Sequence, residues 1–91
     1  MSIELVNRHE KNFEQTMSGL KVLLEDRCKL KALGRRNPYE YDQAQNHLSQ
    51  MEIEVMEFIS SHGGPVADRM RQRINKHKKD FEVLRREMRS L

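Results

Sequence analysis

Apolar residues recur at intervals of three or four along nearly the whole chain, in three stretches separated by short breaks. This spacing places the apolar side chains of each stretch on one face of an α-helix. The breaks carry helix-breaking residues, Gly34 and Pro38 at the first and Gly63-Gly64-Pro65 at the second. The predicted helices cover about residues 2–32, 38–60 and 65–90. No stretch has the alternating pattern of a strand.

The first apolar stripe consists of Val6, Phe13, Met17, Leu20 and Leu24, with Ile3 and Cys28 extending it at either end. His9 and Glu10 interrupt this stripe, so the first two turns are expected to pack less well than the rest. Gly34 is the expected end of this helix, after a cluster of basic residues that suits the negative end of the helix dipole.

The second and third stripes are more regular. The second helix carries Tyr41, Ala44, Leu48, Met51, Val55 and Phe58, and the third carries Ala67, Met70, Ile74, His77, Phe81, Leu84, Met88 and Leu91. Asn37 is the expected cap of the second helix, with Pro38 in its first position and Glu40 closing a capping box. Leu91 still occupies a core position, so either the last turn frays or the chain is a fragment of a protein whose third helix continues; the fragment is the favoured interpretation.

Three amphipathic helices with connections of a few residues bury their stripes against one another. The sequence therefore predicts an all-α fold, an antiparallel up-down-up three-helix bundle in one domain of residues 1–91. The seam spacing predicts left-handed, coiled-coil-like packing.

Composition narrows the class of protein further. A chain of 91 residues is one domain at most. Cys28 is the only cysteine, which excludes an internal disulfide framework and favours a reducing compartment. No apolar run approaches the roughly 20 residues that span a bilayer. A soluble, intracellular domain is expected.

Charge is distributed unevenly along the chain. Residues 37–64 contain five acidic and no basic residues, whereas residues 65–91 contain nine basic and four acidic residues. An acidic helix packed beside a basic one explains this distribution. Alternatively, the third helix presents its basic residues to an acidic partner, a membrane surface or nucleic acid; they include Arg69, Arg71, Arg73, Lys76, Lys78 and Lys79. Nucleic acid is not expected, because no recognition motif or aromatic stacking pattern accompanies them.

No arrangement of residues indicates catalysis or a cofactor. The histidines at positions 9, 47, 62 and 77 include no pair at the spacing of three or four that joins two metal ligands on one helix face. His77 lies on the seam of the third helix and is expected to be a partly buried, hydrogen-bonded core residue. We therefore expect no enzyme, no metal and no cofactor.

Two apolar residues of the second helix, Ile53 and Met56, fall outside its stripe. Scattered exposed apolar side chains are common in soluble proteins. A second interpretation is a docking patch for a protein partner, extending across the second connection to Val66 and Arg69, with Arg73 beside them. Methionine suits such a patch because its flexible side chain adapts to several surfaces.

Three motifs resemble the N-terminal, Habc-like three-helix domain of the Vti family of Qb-SNARE proteins. His9-Glu10-Lys11-Asn12-Phe13 is similar to the opening of the family's first helix. The run from Leu48 to Val55, with Gln50-Met51 and Glu52-Ile53-Glu54-Val55, is similar to the core of its second helix. Arg69-Met70-Arg71, a lysine-rich stretch, Asp80-Phe81 and Arg85-Arg86-Glu87 are similar to its closing helix.

This resemblance implies a recognition domain in vesicle trafficking between the trans-Golgi network and endosomes or the vacuole. In the family this domain is read by trafficking partners, in some members by the ENTH domain of a clathrin adaptor. Cognate SNAREs bind the fusion-driving motif, which is absent here, as is the membrane anchor. The resemblance thus implies a monomeric domain from a protein on the cytoplasmic face of those membranes.

Two other classes of function fit the same helices. One is a structural or chaperone-like helical protein that oligomerises through its third helix. The other is a weak binder of nucleic acid or acidic lipid that acts through the basic third helix, and its binding would fall steeply with added salt.

Overall fold

A computed structural model of the protein describes residues 3–26, 31–32 and 38–90. These residues form three long helices, and no strand occurs among them. The helices are α1 (Ile3–Glu25), α2 (Tyr39–Ser61) and α3 (Gly64–Arg89). A helix of 23 residues is about 35 Å long. Helices of this length side by side give the elongated molecule, which measures 46 × 18 × 17 Å.

The contacts between α1 and α3 show that these two helices run in the same direction. Asn7 near the start of α1 accepts a hydrogen bond from Arg73 of α3. Further along both helices, the Phe13 ring lies 6.3 Å from the Phe81 ring, measured between centroids. Residue numbers therefore increase together along the two helices.

The contacts between α2 and α3 show the opposite direction. Tyr41 in the first turn of α2 contacts Phe81, with ring centroids 5.1 Å apart. Glu52, three turns further along α2, pairs with Lys78, which lies earlier in α3. The up-down-up arrangement predicted from the sequence is confirmed, while the left-handed packing stays a prediction.

The core consists of the predicted stripes. All six predicted positions of α2 are buried, and so are the positions of α3 from Ala67 to Leu84. Helix α1 contributes four buried residues to the core, Val6, Phe13, Met17 and Leu20. Leu24 and Met88 are partly buried and pack against this core. Leu91 and Cys28 lie outside the described residues.

At the start of α1 one apolar residue is more buried than expected and another is less buried. Val6 is fully buried, so the interruption of the stripe by His9 and Glu10 does not loosen the first turns. Ile3, expected to extend the stripe, is exposed. The stripe holds across Glu10 because Arg73 and His77 of α3 bond to this carboxylate.

The end of α1 comes earlier than predicted. The helix ends at Glu25, and the N–H of Asp26 is shared between the carbonyls of Val22 and Leu23 at 3.2 and 3.1 Å. Helices in proteins are stabilised mainly by packing of an apolar face. After Leu20 the apolar residues of the helix are exposed, at Val22, or half-buried, at Leu23 and Leu24, so little burial favours a longer helix. Gly34, the expected terminator, lies outside the described residues.

The start of α2 lies one residue later than predicted. Pro38 is extended, with ψ 150°, and occupies the cap position rather than the first helical position. Its carbonyl accepts the first turn's hydrogen bond from the N–H of Tyr41 at 3.0 Å. A proline side chain cannot cap a helix, so no side-chain bond closes this end at Pro38. Asn37, the expected cap, lies outside the described residues.

The turn between α2 and α3 is built from His62, Gly63 and Gly64. His62 is extended, its N–H bonds to the carbonyl of Phe58 at 2.8 Å, and its ring stacks on the Phe58 ring. Gly64 has a φ of 78°, a conformation that side chains with a Cβ rarely adopt. Pro65 follows at the start of α3, where its missing N–H costs no helical hydrogen bond.

Candidate functional site

A group of charged side chains joins α1 to α3 near the middle of the molecule. The Arg73 guanidinium donates to both carboxylate oxygens of Glu10, from Nη2 to Oε1 at 2.6 Å and from Nε to Oε2 at 3.1 Å. Arg73 Nη2 also donates to Asn7 Oδ1 at 2.9 Å. The fork of an arginine matches a carboxylate in this two-bond geometry, which fixes the position of both side chains.

His77 completes this group from one turn further along α3. Its Nε2 lies 2.9 Å from Glu10 Oε2 and 3.8 Å from Glu14 Oε1. The imidazole ring is buried and meets the Phe13 ring edge-on, with centroids 5.2 Å apart. The prediction of a hydrogen-bonded core histidine is confirmed. We call Glu10, Glu14, Arg73 and His77 the polar cluster.

The ion pair shifts the acid–base behaviour of both partners. The hydrogen bonds from Arg73, supported by His77, hold the pKa of Glu10 below its ordinary value of 4.5, although burial acts in the opposite direction. The same hydrogen bonds raise the pKa of Arg73. Glu10 is therefore an acceptor only, and the hydrogen shared with His77 lies on Nε2.

This lowered pKa predicts a pH dependence of stability. A carboxylate with a depressed folded-state pKa stabilises the fold above its ordinary pKa, and the contribution is lost as pH falls through the folded-state value. Glu10→Gln is expected to lower the free energy of unfolding by about 1 kcal/mol at pH 5.5, since the pair is partly exposed. The difference from wild type should shrink between pH 4.5 and 3.

Urea denaturation of both proteins at pH 5.5, 4.5 and 3 measures this difference. Glu57→Gln is the matched control, because Glu57 is an exposed carboxylate on α2. An equal difference at pH 5.5 and pH 3 would contradict the assigned role of the Glu10 carboxylate.

An open cleft of about 250 Å³ adjoins the polar cluster between α1 and α3. α1 packs closely along α2 but approaches α3 closely at few places, which leaves this space. Its lining includes Glu14, Met17, Lys21, Lys76, His77 and Asp80. The cleft is thus polar on both walls and borders the two outer members of the cluster.

The five residues predicted to bind a partner differ in their exposure. Ile53 and Met56 are 57% and 59% exposed and lie one turn apart on α2. Val66 and Arg69 are exposed in the first two turns of α3. Arg73 is only half-exposed, and its guanidinium is already bound to Glu10 and Asn7. Arg73 therefore holds two helices together.

These five residues lie on two faces of the bundle. Val66 precedes Arg73 by two helical turns and so shares the side of α3 that faces α1. Met56 follows Glu52 by one turn, and Glu52 pairs with Lys78 on the side of α3 that faces α2. Ile53 and Met56 are neighbouring exposed apolar positions, one turn apart on α2. Val66 and Arg69 form a separate group near the start of α1.

The sequence did not predict Glu10 and Glu14 as members of a site, because the spacing rule for metal ligands applies only to residues within one helix. One signal was present. Glu10 stands in the apolar stripe of α1, four residues after Val6 and three before Phe13. A carboxylate in that position needs a cationic partner from another helix, and the basic third helix is the natural source of that partner.

The expectation that the chain is not an enzyme stays a prediction. Among the described helices, none is long and apolar enough to cross a membrane. Comparisons of the chain with protein-family models, with curated proteins and with solved structures gave no match. The fold and the geometry of these surfaces define a three-helix bundle with one apolar pair exposed on α2 and one polar cluster between α1 and α3.

Proposed function

We propose that this chain is the N-terminal recognition domain of a Vti-type Qb-SNARE. The support is the order of the three motifs, now placed on a three-helix bundle. His9–Phe13 lies on α1, Leu48–Val55 on α2 and Arg69–Glu87 on α3. In that role the domain acts at the cytoplasmic face of trans-Golgi, endosomal or vacuolar membranes. Cognate SNAREs bind a fusion motif that these residues do not include.

The proposed action is docking of a trafficking adaptor of the ENTH-domain type. The observation that carries it is the exposure of Ile53 and Met56 on a helix whose neighbouring positions Met51 and Val55 are fully buried. We call Ile53 and Met56 the docking pair. Because the core is complete without them, a partner can cover these two side chains while the fold stays unchanged.

The charge around the docking pair indicates the chemistry of the partner surface. Glu54 and Glu57 flank the pair on α2, and residues 37–64 include no basic residue. A complementary surface therefore has an apolar pocket with basic residues at its rim. Apolar anchors in the centre of an interface typically carry most of the binding free energy.

A binding titration of single variants tests the docking pair. Ile53→Asp and Met56→Asp should each weaken binding of an ENTH domain at least about tenfold, since each replaces an apolar anchor by a charge that would be buried in the partner's apolar pocket. Isothermal titration calorimetry measures the dissociation constant, and thermal melting shows that each variant stays folded. Val22→Asp on α1 is the matched control, because Val22 is 64% exposed.

The same titration with Val66→Asp and Arg69→Glu shows whether docking extends to the start of α3. Arg73→Glu is unsuitable for this purpose, because it breaks the ion pair with Glu10. If the wild type binds and all four variants bind with unchanged affinity, the adaptor contacts another surface. That result would contradict the proposed role of the docking pair.

A second candidate function is supported by the exposed basic side chains of α3. Arg69, Arg71, Lys76 and Lys79 are all exposed, whereas Arg73 is held in the ion pair. These residues suit an anionic lipid surface. Binding to anionic vesicles that falls steeply with added salt, together with no adaptor binding, would favour this candidate. A concentration-dependent mass would instead favour the oligomerising bundle.

A further inference from the structure

We infer that Glu10, Glu14 and His77 form a binding site for a divalent transition metal, with Zn²⁺ as the best-suited ion. One oxygen of each carboxylate and one nitrogen of His77 lie within 4.8 Å of one another. Two ligands, Glu10 and Glu14, lie on α1, and the third, His77, lies on α3, 63 or more residues away in sequence. This site is independent of the docking pair and of the proposed trafficking role.

The separations between ligand atoms suit a tetrahedral ion. Two ligand atoms bound at about 2.0 Å with a tetrahedral angle are about 3.3 Å apart. His77 Nε2 lies 2.9 Å from Glu10 Oε2 and 3.8 Å from Glu14 Oε1, on either side of this value. Shifts of about half an ångström thus bring each carboxylate oxygen to a ligating separation from His77 Nε2. The two carboxylate oxygens lie within 4.8 Å of each other, and rotation of the Glu14 side chain closes the remaining gap.

Two of the ligands are held in place and the third is free to adjust. His77 is buried against Phe13, and Glu10 is fixed by the guanidinium of Arg73. Glu14 lies one turn after Glu10 on the same face of α1, and its side chain is 60% exposed. A small rotation of Glu14 therefore completes the site while α1 and α3 stay in place.

Arg73 serves this site as an orienting residue. Its Nη2 donates to Glu10 Oε1 at 2.6 Å and its Nε donates to Oε2 at 3.1 Å, which holds Oε2 at 2.9 Å from His77 Nε2. A second partner that fixes a ligating carboxylate is a common feature of metal sites. Zinc would take the place of the hydrogen that His77 Nε2 donates to Glu10, since only the bare nitrogen binds metal.

The donor set and the adjoining cleft select the class of ion. One imidazole nitrogen and two carboxylate oxygens suit Zn²⁺, whereas Ca²⁺ requires six to eight oxygen ligands. The cleft beside Glu14 and His77 gives room for a water molecule in a fourth position, as in zinc sites with three protein ligands.

Calorimetric titration of the metal-free chain with zinc chloride tests the site. The wild type should bind one equivalent of Zn²⁺, and Co²⁺ in its place should give the visible absorption of a tetrahedral complex. Glu14→Gln should weaken zinc binding at least about tenfold, because it removes one charged ligand. Glu57→Gln, the same change at an exposed position of α2, should leave the affinity unchanged.

His77→Gln provides a second variant that removes a ligand of a different type. Circular dichroism reports whether it folds; if it does not, the exposed Glu14 decides the outcome alone. His62→Gln controls for zinc held by an exposed histidine. Absence of binding in the wild type, or affinity that Glu14→Gln leaves unchanged, would overturn the proposed site.

Discussion

Met51→Asp is expected to abolish the cooperative thermal unfolding of this domain. Met51 is fully buried at the centre of α2. A carboxylate there has no described cationic partner within the apolar core, and an unpaired buried charge costs several kcal/mol. The whole free energy of unfolding of a chain of this size is roughly 5–14 kcal/mol. Circular dichroism during heating measures the transition.

Ile53→Asp is the matched control for this prediction. It places the same charge two residues further along α2, where the native side chain is exposed. Its melting transition should stay cooperative and close to that of the wild type, because surface substitutions usually change stability by less than about 0.5 kcal/mol. A cooperative transition in Met51→Asp, or loss of the transition in both variants, would contradict the assigned core.

Phe13→Ala is expected to lower the free energy of unfolding by about 3–5 kcal/mol. The Phe13 ring is buried and contacts His77 and Phe81 of α3. Because α1 approaches α3 closely at few places, this ring is a major link between the two helices. The cavity left by truncation cannot collapse without moving α1. Urea denaturation measures the loss.

Val22→Ala on the same helix controls for the effect of truncating an apolar side chain. Val22 lies on the exposed side of α1, so its loss should change the free energy of unfolding by less than about 0.5 kcal/mol. A loss below about 1 kcal/mol in Phe13→Ala would mean that α1 and α3 are held together by other contacts.

The three helices and their buried faces could be predicted from the sequence. In a bundle this small each helix has one core-facing stripe, so spacing alone identifies the buried residues. Every predicted position of α2 is buried, from Tyr41 to Phe58. The early end of α1 could not be predicted, because it depends on how much apolar surface Leu23 and Leu24 find to pack against.

The polar cluster could not be predicted from the spacing of residues within any one helix. Glu10 and Arg73 are 63 residues apart, and they meet only because α1 and α3 run parallel in one particular register. Spacing within α3 gave no reason to separate Arg73 from the exposed Arg69 and Arg71. The docking pair was predictable as exposed, since Ile53 and Met56 miss the stripe of α2. Its partner remains a proposal.

The most direct test of the trafficking role is a titration followed by nuclear magnetic resonance. An ENTH domain of an epsin-like adaptor is added to the ¹⁵N-labelled chain, and the amide shifts of each residue are recorded. We expect saturable shift changes centred on Ile53 and Met56, with Val22 unaffected. Absence of shift changes at saturating adaptor, or changes confined to the cleft between α1 and α3, would contradict this expectation.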